Sequence, residues 1–145
     1  MNSTGAAIAS AVTFVWLGMV LAISFLEAPL KFRAPGVTVP IGLGIGRLVF
    51  RALNLVEAVS AVVVIAAVAA GSPPTGVVVL TACVVALLAV QLCAVRPLLN
   101  RRSDRVLAGE TEEDAPRSRA HLYYVALELL KVVGLLALGI SVLTR

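Results

Sequence analysis

Residues 58–95 contain no aspartate, glutamate, lysine, arginine or histidine. A soluble domain of ordinary composition, about a quarter of it charged, does not carry such a stretch. It is interrupted once, by the uncharged turn Gly71-Ser-Pro-Pro-Thr-Gly76. The apolar runs flanking that turn each have the length, about 20 residues, that crosses a hydrocarbon layer. The pattern predicts two transmembrane helices, over residues 48–70 and 77–95. Two more apolar runs, residues 6–26 and 120–143, make four. The first has no basic residue ahead of it and is too long for the apolar centre of a signal peptide, so it reads as a retained span. With 60% hydrophobic and 14% charged residues and a mean hydropathy of +1.02, the chain belongs to the membrane class. The expected fold is all-α: an antiparallel four-transmembrane-helix bundle forming one domain over residues 1–145, with a Pro/Gly-rich connector after the first helix.

That connector, residues 29–46, carries Pro29, Pro35 and Pro40, then Gly36, Gly42, Gly44 and Gly46, yet it stays apolar. It reads as a segment lying in the membrane interface or folded partly back into the bundle, where protein or a wet cavity satisfies its backbone. The third span closes at Arg96-Pro97, a helix end or kink. Residues 100–119 are the one hydrophilic stretch and read as a solvated loop. Basic residues surround the first and third connections: Lys31, Arg33, Arg47 and Arg51 at one, Arg96, Arg101, Arg102, Arg105, Arg117 and Arg119 at the other. The second connection and the N-terminus have none. The positive-inside rule then places both basic connections in the cytoplasm and both termini outside.

The candidate chemistry lies in two polar stripes. In the fourth span His121, Tyr124, Glu128 and Lys131 are spaced three, four and three apart, and Arg117 extends the row into the preceding loop. In the second span Arg47, Arg51, Asn54 and Glu57 repeat the spacing as four, three and three. Ionisable groups in a bilayer cost about 2.5–3.5 kcal/mol each on insertion scales, so they face a bundle interior or a wet cavity. Glu57, Glu128 and Lys131 lie at similar depth, roughly 13–18 Å from the basic end at 1.5 Å per residue. Glu27 and Lys31, four apart with Glu first, form a shallower pair beside Pro29. The expectation is one polar strip, with Glu57, Glu128, Lys131, His121 and Arg51 in a single cavity between the second and fourth spans. The outer half is dry apart from Ser60, Thr81 and Ser141.

Three uses of the strip compete. It is a salt-bridge network holding the bundle as a structural or interaction subunit. Or it is a pocket for a small amphipathic ligand with an anionic or enolisable head. There Glu27, Lys31, Arg47, Arg51, Asn54, Glu57, Arg96 and Lys131 do the binding, and His121, Tyr124 and Glu128 are the catalytic candidates. Or it is a proton-coupled small transporter working through Glu57 or Glu128. The cations outnumber the carboxylates in the inner set, which favours the anionic ligand.

Glu57, His121 and Glu128 lack the paired Glu-x-x-His motifs of di-iron bundles, and one histidine leaves no bis-His haem site in a single chain. No residue pattern identifies a cofactor or a metal. Cys83 and Cys93 lie in an apolar run and are expected to be buried. The net charge of +4 comes from the basic connections, and no aromatic stacking pattern points to nucleic acid. The expected partners are membrane lipids and the ligand. Gly134, Ala137 and Ser141 offer a small-residue face for a homodimer.

The stretch Phe25-Leu-Glu27-Ala-Pro-Leu-Lys31-Phe, followed by Gly44-Ile-Gly-Arg47-Leu-Val-Phe-Arg51-Ala-Leu-Asn54-Leu-Val-Glu57, resembles a group of uncharacterised small four-span integral membrane proteins, mainly actinobacterial. The resemblance covers the first half of the chain and implies a multi-pass protein of the bacterial cytoplasmic (inner) membrane. In size and span number alone the chain is also similar to the anthrone-oxygenase-like membrane proteins. That likeness weighs toward an enzymatic use of the strip.

Overall fold

The structure, a computed structural model, describes residues 1–109 and 119–145. Among them are four helices long and apolar enough to cross a membrane: α1 (Ser3–Arg33), α2 (Val39–Ala69), α3 (Thr75–Leu107) and α4 (Arg119–Leu143). They run up and down in sequence order. One end of the bundle holds both termini and the turn at residues 70–74, where the Met1 ammonium donates to the Ser72 carbonyl at 3.4 Å. The other end holds the connection at residues 34–38, the end of α3 at Leu107 and the start of α4 at Arg119.

The starts of α1 and α2 follow from their capping residues. Asn2 Oδ1 accepts the Gly5 amide at 2.8 Å. Thr38 Oγ1 accepts the Ile41 amide at 3.4 Å, with Pro40 in the first turn where its missing N–H is no loss. That cap starts α2 at Val39, so the true connector is only residues 34–38, shorter than the 29–46 expected. The glycines that made residues 40–46 resemble a loop are helical. A Cβ at Gly42 would run into the Phe32 ring, so the end of α1 packs against bare backbone there.

The helices also extend beyond the expected ends at Pro29 and Pro97. In each case a wide turn precedes the proline: residues 21–27 before Pro29 and residues 91–95 before Pro97. A proline removes one i→i−4 bond and its ring crowds the carbonyl four residues back. Bonding five residues back relieves that crowding, with the Ala28 amide on the Ile23 carbonyl and the Arg96 amide on the Gln91 carbonyl. The helix therefore passes through Arg96-Pro97 and continues to Leu107. The expected hydrophilic loop is helical over residues 100–107. Its acidic part, Glu110, Glu112, Glu113 and Asp114, lies outside the described residues, as does Arg117.

Around the bundle, α1 packs against α2 and α4, and α3 packs against α4. The α2–α3 seam is the thinnest. Three apolar layers stack from the terminal end to the basic end. The first is Ala9, Val64, Val68, Val77, Leu138 and Val142. The second is Trp16, Leu17, Val20, Ala61, Val84, Leu88 and Leu135. The third is Phe50, Leu53, Val95 and Tyr124. Gly134 lets α4 approach α3 within the chain, since a Cβ there would stand 2.9 Å from Val84 Cγ2. Part of the proposed dimer face is thus already occupied by α3.

The polarity of the fold is inverted relative to a soluble bundle. Leu55, Val62 and Val133 are 67%, 66% and 65% exposed, while Glu57, Glu128 and Lys131 are each 1% exposed. In water such a surface would associate or precipitate; in lipid it is the stable arrangement. The chain is a multi-pass integral membrane protein. Cys83 and Cys93 correct the expectation of burial: both are on the outer face of α3. In an apolar span, hydrophobicity does not distinguish the lipid-facing side from the packed side.

Candidate functional site

Every helix sends one polar side chain, and α4 sends two, into a centre at the boundary of the second and third layers. Lys131 Nζ donates to Glu57 Oε2 at 2.6 Å and to Gln91 Oε1 at 2.8 Å. It also lies 3.1 Å from Glu128 Oε1, an ion pair one turn away on its own helix. Gln91 Nε2 donates to Glu128 Oε2 at 2.7 Å, so this carboxamide bridges the ammonium and the second carboxylate. The Trp16 indole N–H donates to Glu57 Oε2 at 3.1 Å. Two carboxyl groups therefore share one ammonium. Among the described residues, Glu57 Oε1 and Glu128 Oε1 are buried without a hydrogen-bond partner.

The wide turn at residues 91–95 positions α3 for this. In a regular helix Gln91 and Arg96, five residues apart, would differ by about 140° in direction. Bonding to the fifth residue brings them toward one face. Gln91 then reaches the ionic centre, and Arg96 sits on the same side nearer the basic end.

There a half-open cavity of about 130 Å³ adjoins the centre. His121, Tyr124 and Glu128 line it from α4, Arg96 and Leu99 from α3, Phe50 from α2, and Ser24 and Phe25 from the wide turn of α1. The Arg96 guanidinium lies 4.4 Å from the Phe50 ring centroid and 5.4 Å from that of Tyr124. The two rings meet edge to face at 6.1 Å and 87°. Aromatic faces attract a guanidinium without occupying its N–H donors. Among the described residues Arg96 makes no hydrogen bond or ion pair.

Arg47, Arg51 and Asn54 lie elsewhere. They line a second hollow of about 410 Å³ with Gly44, Leu48, Arg96 and Asn100, along the thin α2–α3 seam. Arg51 is therefore not in the cavity with His121, nor at the ionic centre with Glu57 and Lys131 as expected. The spacing explains the difference. Two successive steps of three residues, Arg51 to Asn54 to Glu57, each fall about 60° short of a full turn, so Arg51 is displaced about 120° from the Glu57 face. Glu27 and Lys31 pair at 3.6 Å outside both hollows, the Lys31 ammonium 5.8 Å from the Phe50 centroid. Arg47 pairs with Asp104.

Two participants escape a reading of charges alone. Trp16 is the chain's single tryptophan and sits in mid-span, away from the interfaces where such rings collect. Gln91 is the one carboxamide in the charge-free run 58–95. Both are uncharged, and only their placement among apolar neighbours signals a buried partner. The terminal half is also less dry than expected: Ser10 and Thr13 are buried on α1, with hydroxyls that have no hydrogen-bond partner among the described residues. Comparison with protein-family models, with curated proteins and with solved structures finds no match to this chain.

Proposed function

We propose that this membrane protein binds, and in a catalytic variant of the same reading transforms, a small amphipathic molecule through an anionic or enolisable head. The head occupies the cavity lined by Arg96, His121 and Tyr124. The observation that carries this is the contrast between the buried Lys131 and the half-buried Arg96. Lys131 is fully engaged by Glu57, Glu128 and Gln91. Arg96 has aromatic faces around it and, among the described residues, no ion-pair partner, the Glu128 carboxyl that lines the same cavity being held by Lys131 and Gln91. A guanidinium with unused donors beside an apolar cavity is suited to a carboxylate, enolate or phenolate. The volume suits a head of single-ring size, since a cavity near 150 Å³ takes up benzene. The tail would lie in lipid. By the positive-inside rule the basic end, and with it the cavity, faces the cytoplasm.

The test is mass spectrometry of small molecules that copurify with the protein. An acidic amphiphile is expected on the wild type. It should be lost on Arg96→Gln and on Val125→Trp, which fills the cavity from the lining position of Val125 on α4, and retained on Arg51→Gln. A wild type that carries no such molecule, or one retained on Val125→Trp, refutes the proposal.

One observation favours a second reading, proton-coupled transport. Ser60 is one turn from Glu57, and Thr13 and Ser10 are one and two turns from Trp16, all toward the terminal end. With Ser60 already expected there, Ser10 and Thr13 add buried polar groups to the terminal half. A pH-dependent flux in proteoliposomes that Glu57→Gln abolishes would favour transport over binding.

A further inference from the structure

The hollow along the α2–α3 seam holds three guanidinium groups, from Arg47, Arg51 and Arg96, and two carboxamides, from Asn54 and Asn100. Among the described residues no carboxylate lines it. Arg47 has Asp104 as its partner, but among the described residues Arg51 and Arg96 form no ion pair. Arg47 and Arg51 are one helical turn apart, a like-charge arrangement that is unfavourable when alone. Arg96 adds a third charge from the facing helix.

The depth of the cluster indicates what would balance it. Both helices emerge from the short turn at residues 70–74. A hydrocarbon core of about 30 Å spans about 20 residues at 1.5 Å per residue. Counted from Ala69 back along α2, that distance ends near Val49. Counted from Thr75 along α3, it ends near Val95. Arg47, Arg51 and Arg96 therefore lie at the boundary between hydrocarbon and headgroups, the level of lipid phosphates. Beside them Leu48 and Leu55 are 70% and 67% exposed, an apolar wall for acyl chains.

We infer that the α2–α3 seam is a binding site for the phosphate of an anionic phospholipid. The phosphate sits among Arg47, Arg51 and Arg96, with Asn54 and Asn100 as further donors, and the acyl chains run along Leu48 and Leu55. Basic hollows between helices on the cytoplasmic side suit such headgroups. The site is distinct from the cavity of the proposed ligand and meets it only at Arg96.

Native mass spectrometry of the detergent-purified full chain tests this, with phosphatidylglycerol or phosphatidylcholine added in turn. The wild type should retain phosphatidylglycerol in preference to phosphatidylcholine. Arg51→Gln should weaken that retention about tenfold, the loss of one charge-assisted contact. Arg51 is on the surface, so the fold does not depend on it. Asn54→Leu, which changes no charge, should weaken retention severalfold. Excess inorganic phosphate should leave retention unchanged. Equal retention of the two lipids overturns the inference, as does an Arg51→Gln variant that binds like the wild type. Displacement of the lipid by inorganic phosphate alone would make the seam a free-phosphate site and overturn the lipid assignment. Loss of the cavity ligand on Val125→Trp, with phosphatidylglycerol retention intact, would separate this site from the proposed function.

Discussion

Replacing Lys131 with methionine should be the most damaging single change in the chain. Methionine fits the space but removes the ammonium that holds Glu57, Gln91 and Glu128 at 2.6, 2.8 and 3.1 Å. Interhelical polar contacts in membrane proteins contribute about 0.6–1.7 kcal/mol each, so the two to Glu57 and Gln91 give about 1–3 kcal/mol before the pair with Glu128 on the same helix is added. Removing one partner of a buried ion pair in a soluble protein costs about 3–5 kcal/mol, because the other charge remains buried. The two estimates overlap. At about 2–4 °C per kcal/mol for a chain of this size, melting of the purified protein should fall by roughly 6–20 °C. The control is a triple variant, Lys131→Met with Glu57→Gln and Glu128→Gln, which removes the charge imbalance while keeping the side-chain shapes. Neutral replacement of a whole buried ionic group is often harmless, so the triple variant should regain most of the loss. If Lys131→Met melts within about 2 °C of the wild type, the centre does not hold the bundle together. If the triple variant is no better than the single one, the loss comes from packing and not from unpaired charge.

Trp16→Phe should cost about 1 kcal/mol, seen as a fall of a few degrees in melting temperature, because one hydrogen bond to Glu57 is lost. Since Trp16 is the only tryptophan, the emission maximum of the wild type should shift in Glu57→Gln and stay fixed in Arg51→Gln. Gly134→Val should lower stability by about 1–3 kcal/mol, by forcing α4 away from Val84, and the same melting assay reads it. A cysteine placed at exposed Arg105 should resist an impermeant thiol reagent in intact cells and react after lysis. Labelling in intact cells would reverse the assigned orientation.

Length and hydropathy made the four spans legible, because a bilayer leaves few alternatives to a bundle of apolar helices. The ends of those spans were harder to read, for a physical reason. Glycine and proline carry opposite meanings in a loop and in the first turn of a helix, and Thr38 decides between them at α2 through one hydrogen bond. At Pro97 the outcome depends on whether the helix can relax by a wide turn, which depends on its neighbours and not on its own composition. Glu57, Glu128 and Lys131 were legible because an ionisable group at that depth requires a partner. Trp16 and Gln91 were not, because an uncharged polar group in a span is tolerated with or without one.

The division of the polar strip into separate compartments has the same origin. Spacings of three and four keep neighbouring residues close, but a run of threes winds about 60° per step and carries the far members to another face. Arg51 and Glu57 are neighbours by pattern and belong to different surfaces. The consequence for function is a matter of charge balance. Lys131 already has its counter-charges within the protein, so it holds helices together and has little left to offer a ligand. Arg96 and Arg51 form no ion pair among the described residues, and they line the two hollows. In a medium that penalises unbalanced charge, those two residues, more than the deeper and better-buried lysine, indicate where an anion from outside the chain would bind.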